Sequence, residues 1–374
     1  MININLEKKI VIEISIIGLG LIGGSLAKSF HLKIPTCKIT AIDSNTSTLH
    51  QALQDGMIQK GTDQYAEGVK DADIIFICTP VSDILNTLSL ISPYVKEGCI
   101  VTDTGSIKST IIKKNQHILP DSTFFIGGHP MAGSEKTGYH NSSAHMLENA
   151  YYIFTPDETI PSEQMIFLSE VVKQAGCIPL ILSSELHDHI TGLISHLPHI
   201  IAAGLVNLVH QDIDITDTVQ RLAAGGFKDI TRIASSSPFM WTDICLYNSE
   251  ELHNIIQIFI NILKTFDQWM LQEDRKAIFQ FFENARMSRN NIPSKKQTFI
   301  YNDYDIYIDV QDKPGIIGEI AMLLGTYNIN IRNIGIVNNR EEEPGVLCIS
   351  LPDSSSQMKS MSILEGKGDL AFQK

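Results

Sequence analysis

The first half of the chain sets short, unbroken apolar runs between stretches of helical spacing. Residues 10–17 form a β-branched run, residues 74–78 a second and residues 99–101 a third, followed by 124–126 and 151–154. Runs that are apolar throughout, rather than alternating, predict strands covered on both faces, as in a mostly parallel sheet flanked by helices. Ligands of such sheets gather beyond the carboxyl ends of the strands. The segments Thr79-Pro80, Asp103-Thr104-Gly105-Ser106 and His129-Pro130-Met131 are therefore expected to face one crevice. From Ser184 to about Arg289 no strand pattern is visible, and helical spacing dominates, with breaks at Pro198, Gly225-Gly226 and 235–238. A long helix over 250–286 carries Leu252, Ile255, Phe259, Ile262, Leu263, Phe266 and Trp269 around much of its circumference. A helix apolar on several faces needs several packing partners. A second subunit would supply one, so a homodimer is expected, with a self-contained bundle as the alternative.

A polar stretch, 290–296, reads as a linker. Behind it stand a strand over 304–310, a turn at Asp312-Lys313-Pro314-Gly315, a helix over 316–327, strands over 329–337 and 346–351, and a helix over 357–364. This is a small βαββα pattern. The charged segment 366–374 makes a poor further strand. The expected organisation is an α/β sheet domain over 1–182, an all-α domain over 183–292 and a small βαβ-type domain over 299–374.

The run over 10–17 leads straight into Gly18-Leu19-Gly20-Leu21-Ile22-Gly23, then a helical pattern, then a second apolar run ending in Asp43. This is the strand–turn–helix–strand plan of a Rossmann-type dinucleotide site. Gly18 permits the tight turn, Gly20 removes a side chain where a pyrophosphate approaches, and Gly23 lets helix and strand come close. Leu21 and Ile22 open the helix, whose free N–H groups and partial positive charge suit phosphates. A carboxylate at Asp43 accepts hydrogen bonds from a ribose and disfavours a 2′-phosphate, which selects NAD over NADP.

Composition narrows the picture. Of 374 residues, 43% are hydrophobic and 19% charged, which suits a globular chain of two or three domains. A net charge of −13 disfavours nucleic acid and anionic membrane surfaces as partners. The six cysteines are scattered with no CxxC pair, the first nine residues are polar, and no apolar run in the sequence reaches bilayer length. These features together predict a cytoplasmic protein in a reducing compartment.

Candidate chemistry falls in four places. His129 lies between glycines after a predicted strand, an open setting for an imidazole that accepts a hydroxyl proton as hydride leaves; capping the strand is the plainer alternative. Ser106 could orient that imidazole or cap a helix, and Lys108 reads as a solvated lysine. His187, His189, His196 and His199 invite a metal, but no completing ligands accompany them, so no metal is expected and His196 and His199 read as a polar pocket wall. Asp229 and Arg232, three apart, can pair and present the guanidinium to a substrate carboxylate.

Taken in order, Gly18–Gly24, Asp103–Lys108, Gly128–Glu135, Ser195-His196-Leu197-Pro198-His199, Gly225–Ala234 and the Pro-Phe-Met-Trp-Thr-Asp run at 238–243 resemble the prephenate dehydrogenase family over nearly the whole chain. The tail resembles an ACT regulatory domain. The resemblance implies NAD-dependent oxidative decarboxylation of prephenate to 4-hydroxyphenylpyruvate in tyrosine biosynthesis. It assigns His129 and Ser106 to catalysis and Arg232, His199 and His196 to the substrate. Gly18, Gly20, Leu21, Ile22, Gly23, Asp43, Thr79, Pro80 and Asp103 go to the cofactor, and tyrosine or phenylalanine to the ACT domain. Arogenate dehydrogenase or a dual-specificity cyclohexadienyl dehydrogenase is the nearest alternative. A hydroxyacid dehydrogenase and a non-catalytic sensor of NAD and an amino acid are the others.

Overall fold

The computed structural model describes residues 11–115, 117–210, 222–223, 225–291, 304–310, 314–331, 333–337, 345–365 and 371–372. The chain divides into two compact units, 1–289 and 290–374.

Unit 1 is built on an eight-stranded sheet. Its strands are β1 (Ile12–Ile17), β2 (Cys37–Ile42), β3 (Lys60–Thr62), β4 (Ile74–Ile77), β5 (Ile100–Asp103), β6 (Phe124–Pro130), β7 (Tyr151–Thr155) and β8 (Ile178–Ile181). The order across the sheet is β3-β2-β1-β4-β5-β6-β7-β8. The first six strands are parallel, β7 runs antiparallel to β6, and β8 parallel to β7. The connections include α1 (Leu21–Lys33), α2 (Thr46–Gln54), α3 (Tyr65–Val69), α4 (Ile84–Ile91), α5 (Ser109–Asn115) and α6 (Ser162–Gln174). The 3-2-1-4-5-6 order places the topological switch between β1 and β4, where a doubly wound sheet opens its ligand crevice. Phe76 joins the core on one face, with Ile14, Phe30 and Tyr152; its neighbours Ile75 and Ile77 join the other, with Ile84 and Val101. Both faces are buried, so alternate positions must all be apolar.

The helical part begins with α7 (Ser184–Thr191), a π-turn (Gly192–His196) and α8 (Leu197–His210). Then come α9 (Gly225–Thr231), a 3₁₀ turn (Arg232–Ser235), α10 (Pro238–Tyr247), α11 (Ser249–Leu271) and α12 (Arg275–Asn291). Several expectations are corrected here. Pro198 is not a break, because the π-turn just before it absorbs the hydrogen bond that a proline cannot donate. The stretch Ser184–Val209 is one helix of 26 residues that holds an 18-residue window of mean hydropathy 1.5, long and apolar enough by length and composition alone to cross a bilayer, where the sequence reading found no apolar run of that length. That helix commits His187, Asp188 and His196 to the protein interior while leaving Leu193 and Ile194 exposed. Gly225 and Gly226 stand at the start of α9. The helix expected over 250–286 is two: Glu273 turns the chain with φ 53°, and the Asp274 carboxylate accepts the Ala277 N–H at 3.0 Å, starting α12.

The helical part is stitched to the sheet. Ile244 of α10 joins the β4–β5 core, the Thr110 hydroxyl donates to the Tyr247 carbonyl at 2.9 Å, and the Tyr247 hydroxyl donates to the Ser82 carbonyl at 3.4 Å. Large apolar side chains remain exposed on its other surfaces, among them Phe239 (87%), Leu271 (79%), Phe279 (67%) and Ile194 (64%).

Unit 2 contains β9 (Tyr304–Val310), α13 (Ile316–Thr326), β10 (Asn333–Val337), β11 (Gly345–Leu351), α14 (Ser354–Glu365) and β12 (Ala371–Phe372). Its sheet is antiparallel with order β10-β11-β9-β12, a split βαβ arrangement. Ile306, Ile308, Leu347 and Ile349 meet Ile320, Leu324 and Leu364 of the helices in its core. The tail, expected to make a poor further strand, pairs over two residues: Ala371 and Phe372 lie opposite Ile308 and Tyr307, at the fourth position of the sheet. The linker residues 292–296 and the turn residues Asp312 and Lys313 lie outside the described residues.

Candidate active site

The crevice floor is the glycine loop between β1 and α1. Gly18 has φ +90°, and a Cβ there would meet the Cys78 carbonyl oxygen at 2.9 Å. A Cβ on Gly23 would collide with the Gly18 carbonyl oxygen, so this glycine is imposed by packing. Gly20 has nothing within 4 Å of a built Cβ, so its bare backbone faces open space. No side chain caps α1 and no acid sits in its first turn, so the N–H groups at Leu21 and Ile22 and the positive end of the helix are unneutralised. Asp43 accepts the Leu19 N–H at 2.7 Å with one carboxylate oxygen and the Asn45 N–H at 2.8 Å with the other, which fastens the loop to the end of β2. Across the switch point, Pro80 is exposed and the buried Thr79 hydroxyl has no hydrogen-bond partner among the described residues. An open glycine, a free helix start, an acid at the second strand and an unspent hydroxyl fit a dinucleotide.

Asp103, expected at the cofactor, is fully buried and its carboxylate is spent inside the protein. One oxygen accepts the Gly128 N–H at 3.1 Å; the other accepts the Gly105 N–H at 2.9 Å and the Lys108 ammonium. Lys108, expected in solvent, is 0% exposed and also donates to the Gly128 carbonyl at 2.7 Å. Burial pulls its ammonium pKa down, against the attraction of Asp103 and Asp188. This buried pair ties the end of β5 to β6.

His129 belongs to β6 itself, because β7 pairs with that strand as far as Pro130. The glycines before it are there for close packing, since a Cβ on Gly128 would lie 2.6 Å from the Asp103 carbonyl oxygen, whereas Gly133 beyond it has no described atom within 4 Å of a built Cβ. His129 Nδ1 is 2.8 Å from His187 Nε2, and His187 Nδ1 is 2.7 Å from an Asp188 carboxylate oxygen. Asp188 also accepts the Lys108 and Ser109 N–H groups at 2.8 Å each. These two bonds cap α5 from another helix, so α5 starts at Ser109 and not at Ser106. Ser106 is half-buried after β5, and the described hydrogen bond of His129 runs to His187 instead. Burial, followed by the electrostatic influence of His187, Lys108 and His196, holds the His129 pKa well below the ordinary imidazole value. Burial opposes the charge on Asp188, but hydrogen bonds from His187 and the two N–H groups outweigh it and keep the carboxyl below its usual range.

His199 stacks on Trp241 with centroids 3.8 Å apart, and His196 meets the same ring edge-on at 5.9 Å. His199 is half-exposed; its Nδ1 lies 2.9 Å from the Ser195 carbonyl, and burial lowers its pKa. His196, expected on the pocket wall, is 1% exposed and lies 3.3 Å from the Asn248 amide, its pKa lowered to about 4, chiefly by burial. It backs the wall rather than forming it. Arg232 pairs with Glu135, 97 residues away in sequence, and not with Asp229, because α9 ends at Thr231 and the 3₁₀ turn rotates Arg232 off the helical spacing. The charges of Arg232 and Glu135 both act on His199, so the three stand together at one edge of the site. Among the described residues no group of three His, Cys, Asp or Glu side chains is placed to hold a metal.

Sequence reasoning missed Asp188, the burial of Lys108, Trp241 and the Glu135 contact. The adjacent His187-Asp188 pair was the visible signal for the first, and the acid five residues before Lys108 for the second.

Known proteins resemble this chain. Residues 26–178 match the family described as prephenate dehydrogenase, nucleotide-binding domain, and residues 183–284 match its dimerization domain. A prephenate dehydrogenase of Bacillus subtilis is 36% identical over 94% of this chain and 95% of its own length. The chain belongs to the prephenate dehydrogenase family. It is an oxidoreductase by that membership. A second family member, from Lactococcus lactis, is 35% identical over 96% of this chain and 98% of its own. The crystal structure of the Aquifex aeolicus prephenate dehydrogenase, in complex with hydroxyphenyl propionate and NAD+, superimposes with TM-score 0.71 at 30% identity, covering 76% of this chain and 99% of that one.

Proposed function

We propose that this chain oxidises prephenate with NAD, releasing carbon dioxide and 4-hydroxyphenylpyruvate. The observation that carries the reading is a neutral, partly exposed imidazole, His129, on the strand beside β5 and two strands from the dinucleotide switch point. NAD, when bound, accepts the hydride. Gly18, Gly20, Leu21, Ile22 and Gly23 would hold its pyrophosphate, Asp43 its ribose, and Thr79 and Pro80 would line the far side. His129 takes the ring hydroxyl proton as the carbinol becomes a carbonyl. Loss of carbon dioxide then turns the ring into a phenolate, and the same proton returns to it, so the step needs no further acid. Ser106 stands at the neighbouring strand end, where it can bind the reacting oxygen.

Arg232 is assigned to a substrate carboxylate. Its guanidinium already engages a carboxylate, that of Glu135, in a place that a ligand carboxylate can take over. His199, flat against Trp241, would meet the pyruvyl side chain. The test follows absorbance of the reduced cofactor with prephenate and NAD. Arg232→Ala should raise KM for prephenate by roughly 10- to 100-fold, the worth of a charge-assisted pair, with kcat changed far less. No turnover of prephenate, or turnover of arogenate alone, removes the assignment.

The organisation that best suits the chain is a nucleotide-binding part over 1–182, a substrate and dimerisation part over 183–292 and an ACT-type part over 299–374. The exposed apolar side chains of α10, α11 and α12 are assigned to a second copy of the chain. None of the six cysteines forms a disulfide among the described residues, which suits a cytoplasmic setting. The split βαβ sheet of unit 2 supports a regulatory role with tyrosine or phenylalanine as ligand. Titrating activity with each amino acid should change the rate with one of them, and a flat response to both would leave unit 2 without that role.

A further inference from the structure

The proposed mechanism uses His129 and leaves unexplained the buried acid and imidazole behind it. His187 is 0% exposed and Asp188 4%, and neither is accessible to a ligand. Burying a carboxylate and an imidazole side by side is costly unless each polar group is satisfied, and here each is: His187 bonds through both ring nitrogens. The Asp188 carboxylate takes three N–H groups: Lys108, Ser109 and the His187 ring. The Asn248 amide donates to the Asp188 carbonyl at 3.2 Å, and the Thr191 hydroxyl donates to the His187 carbonyl at 2.9 Å, which fixes the helix that carries both.

With His187 neutral, the hydrogen bonds leave one assignment of protons. An ionised carboxylate only accepts, so His187 Nδ1 carries its proton. A neutral His187 then presents a lone pair at Nε2. His129, 2.8 Å away, must donate to it from Nδ1. The neutral His129 is therefore protonated at Nδ1 and bare at Nε2. The other tautomer would set two lone pairs against each other across 2.8 Å.

We infer that His187 and Asp188 are positioning residues for the reaction: they hold His129 in the tautomer whose Nε2 accepts the substrate proton, and they supply the negative charge that offsets the imidazolium. The need is physical. Lys108 and His196 both stand near His129 and oppose its protonation. The Asp103 charge is already engaged by Lys108. Asp188, reached through His187, is the carboxylate hydrogen-bonded to the His129 chain. When Nε2 of His129 gains a proton, its Nδ1 proton can move to His187 Nε2, placing the positive charge next to Asp188. The reverse move restores the starting state once the proton has left Nε2. No proton is gained or lost overall.

The inference rests on the proton-accepting role given to His129 above, and two readouts separate the two. In the free protein, ¹⁵N spectra of labelled histidine, assigned by the signal lost in His129→Ala, should show His129 protonated at Nδ1. In His187→Leu that signature should disappear, kcat should fall about a hundredfold, and KM for prephenate and NAD should stay within about threefold. His187→Gln places an oxygen acceptor beside His129 and should recover most of the loss. A folded His187→Leu that keeps the Nδ1–H tautomer and the wild-type kcat overturns the proposal. Wild-type protein that does not turn over prephenate overturns the reading of substrate instead, while the tautomer measurement still decides the role of this pair.

Discussion

Replacing His129 by alanine should lower kcat by about 10²- to 10⁴-fold, the range of a positioned general base, and leave NAD affinity within about twofold. The glycine loop, Asp43 and Thr79 make no described contact with the His129 ring, so cofactor binding has no reason to suffer. Initial rates from reduced-cofactor absorbance, together with a fluorescence titration of NAD, separate the two effects. The pH profile carries the same information. The groups facing His129 are His187 and Asp188 on α7, His196 in the π-turn, and Lys108 with Asp103 at the end of β5. Their combined effect, after burial, is to keep the ring neutral well below the ordinary imidazole pKa. A base that is active when unprotonated then stays active as pH falls through about 6.5, so kcat/KM should remain flat there and decline only at lower pH. A half-maximal point at 6.5 would mean an ordinary, solvated histidine and would contradict the buried arrangement.

Lys108→Met should destabilise unit 1 by about 3–5 kcal/mol, because it strands the fully buried Asp103 carboxylate without its cation. Urea unfolding of the variant against wild type measures it. Asp103 would keep the Gly105 and Gly128 N–H groups, which place the effect nearer the lower end of that range. The Lys108 charge also lowers the His129 pKa, so its removal should move the acid limb of the rate profile to higher pH. A variant of wild-type stability would mean that the buried pair contributes nothing net, as some buried ion pairs do when both partners are replaced together.

Much of this protein was legible in one dimension. The glycine turn, the switch-point strands and the order of the helical and small βαβ parts follow from spacing, because local geometry leaves few alternatives. A strand covered on both faces must be apolar at every position, and Gly23 can carry no Cβ where the helix meets the Gly18 carbonyl. Candidate residues were also visible: His129 stood out by its place after an apolar run, and Arg232 by its glycine-rich surroundings.

Partners across the fold were not legible, and the misreadings share one cause. Arg232 looked paired with Asp229 because the two are three residues apart; the helix ends between them, and the nearer carboxylate in space is Glu135. Lys108 looked solvated because lysines usually are; an acid at the end of β5 draws it inside. His187 looked like one of a scattered histidine group and Asp188 drew no reading, yet they reach 58 and 80 residues back in sequence to His129 and Lys108. Sequence alone determined which elements form and which residue types line the crevice, because those depend on short-range sterics and burial. Which imidazole holds which proton was decided only when the π-turned helix met the ends of β5 and β6, because a hydrogen bond depends on distances that no spacing along the chain records.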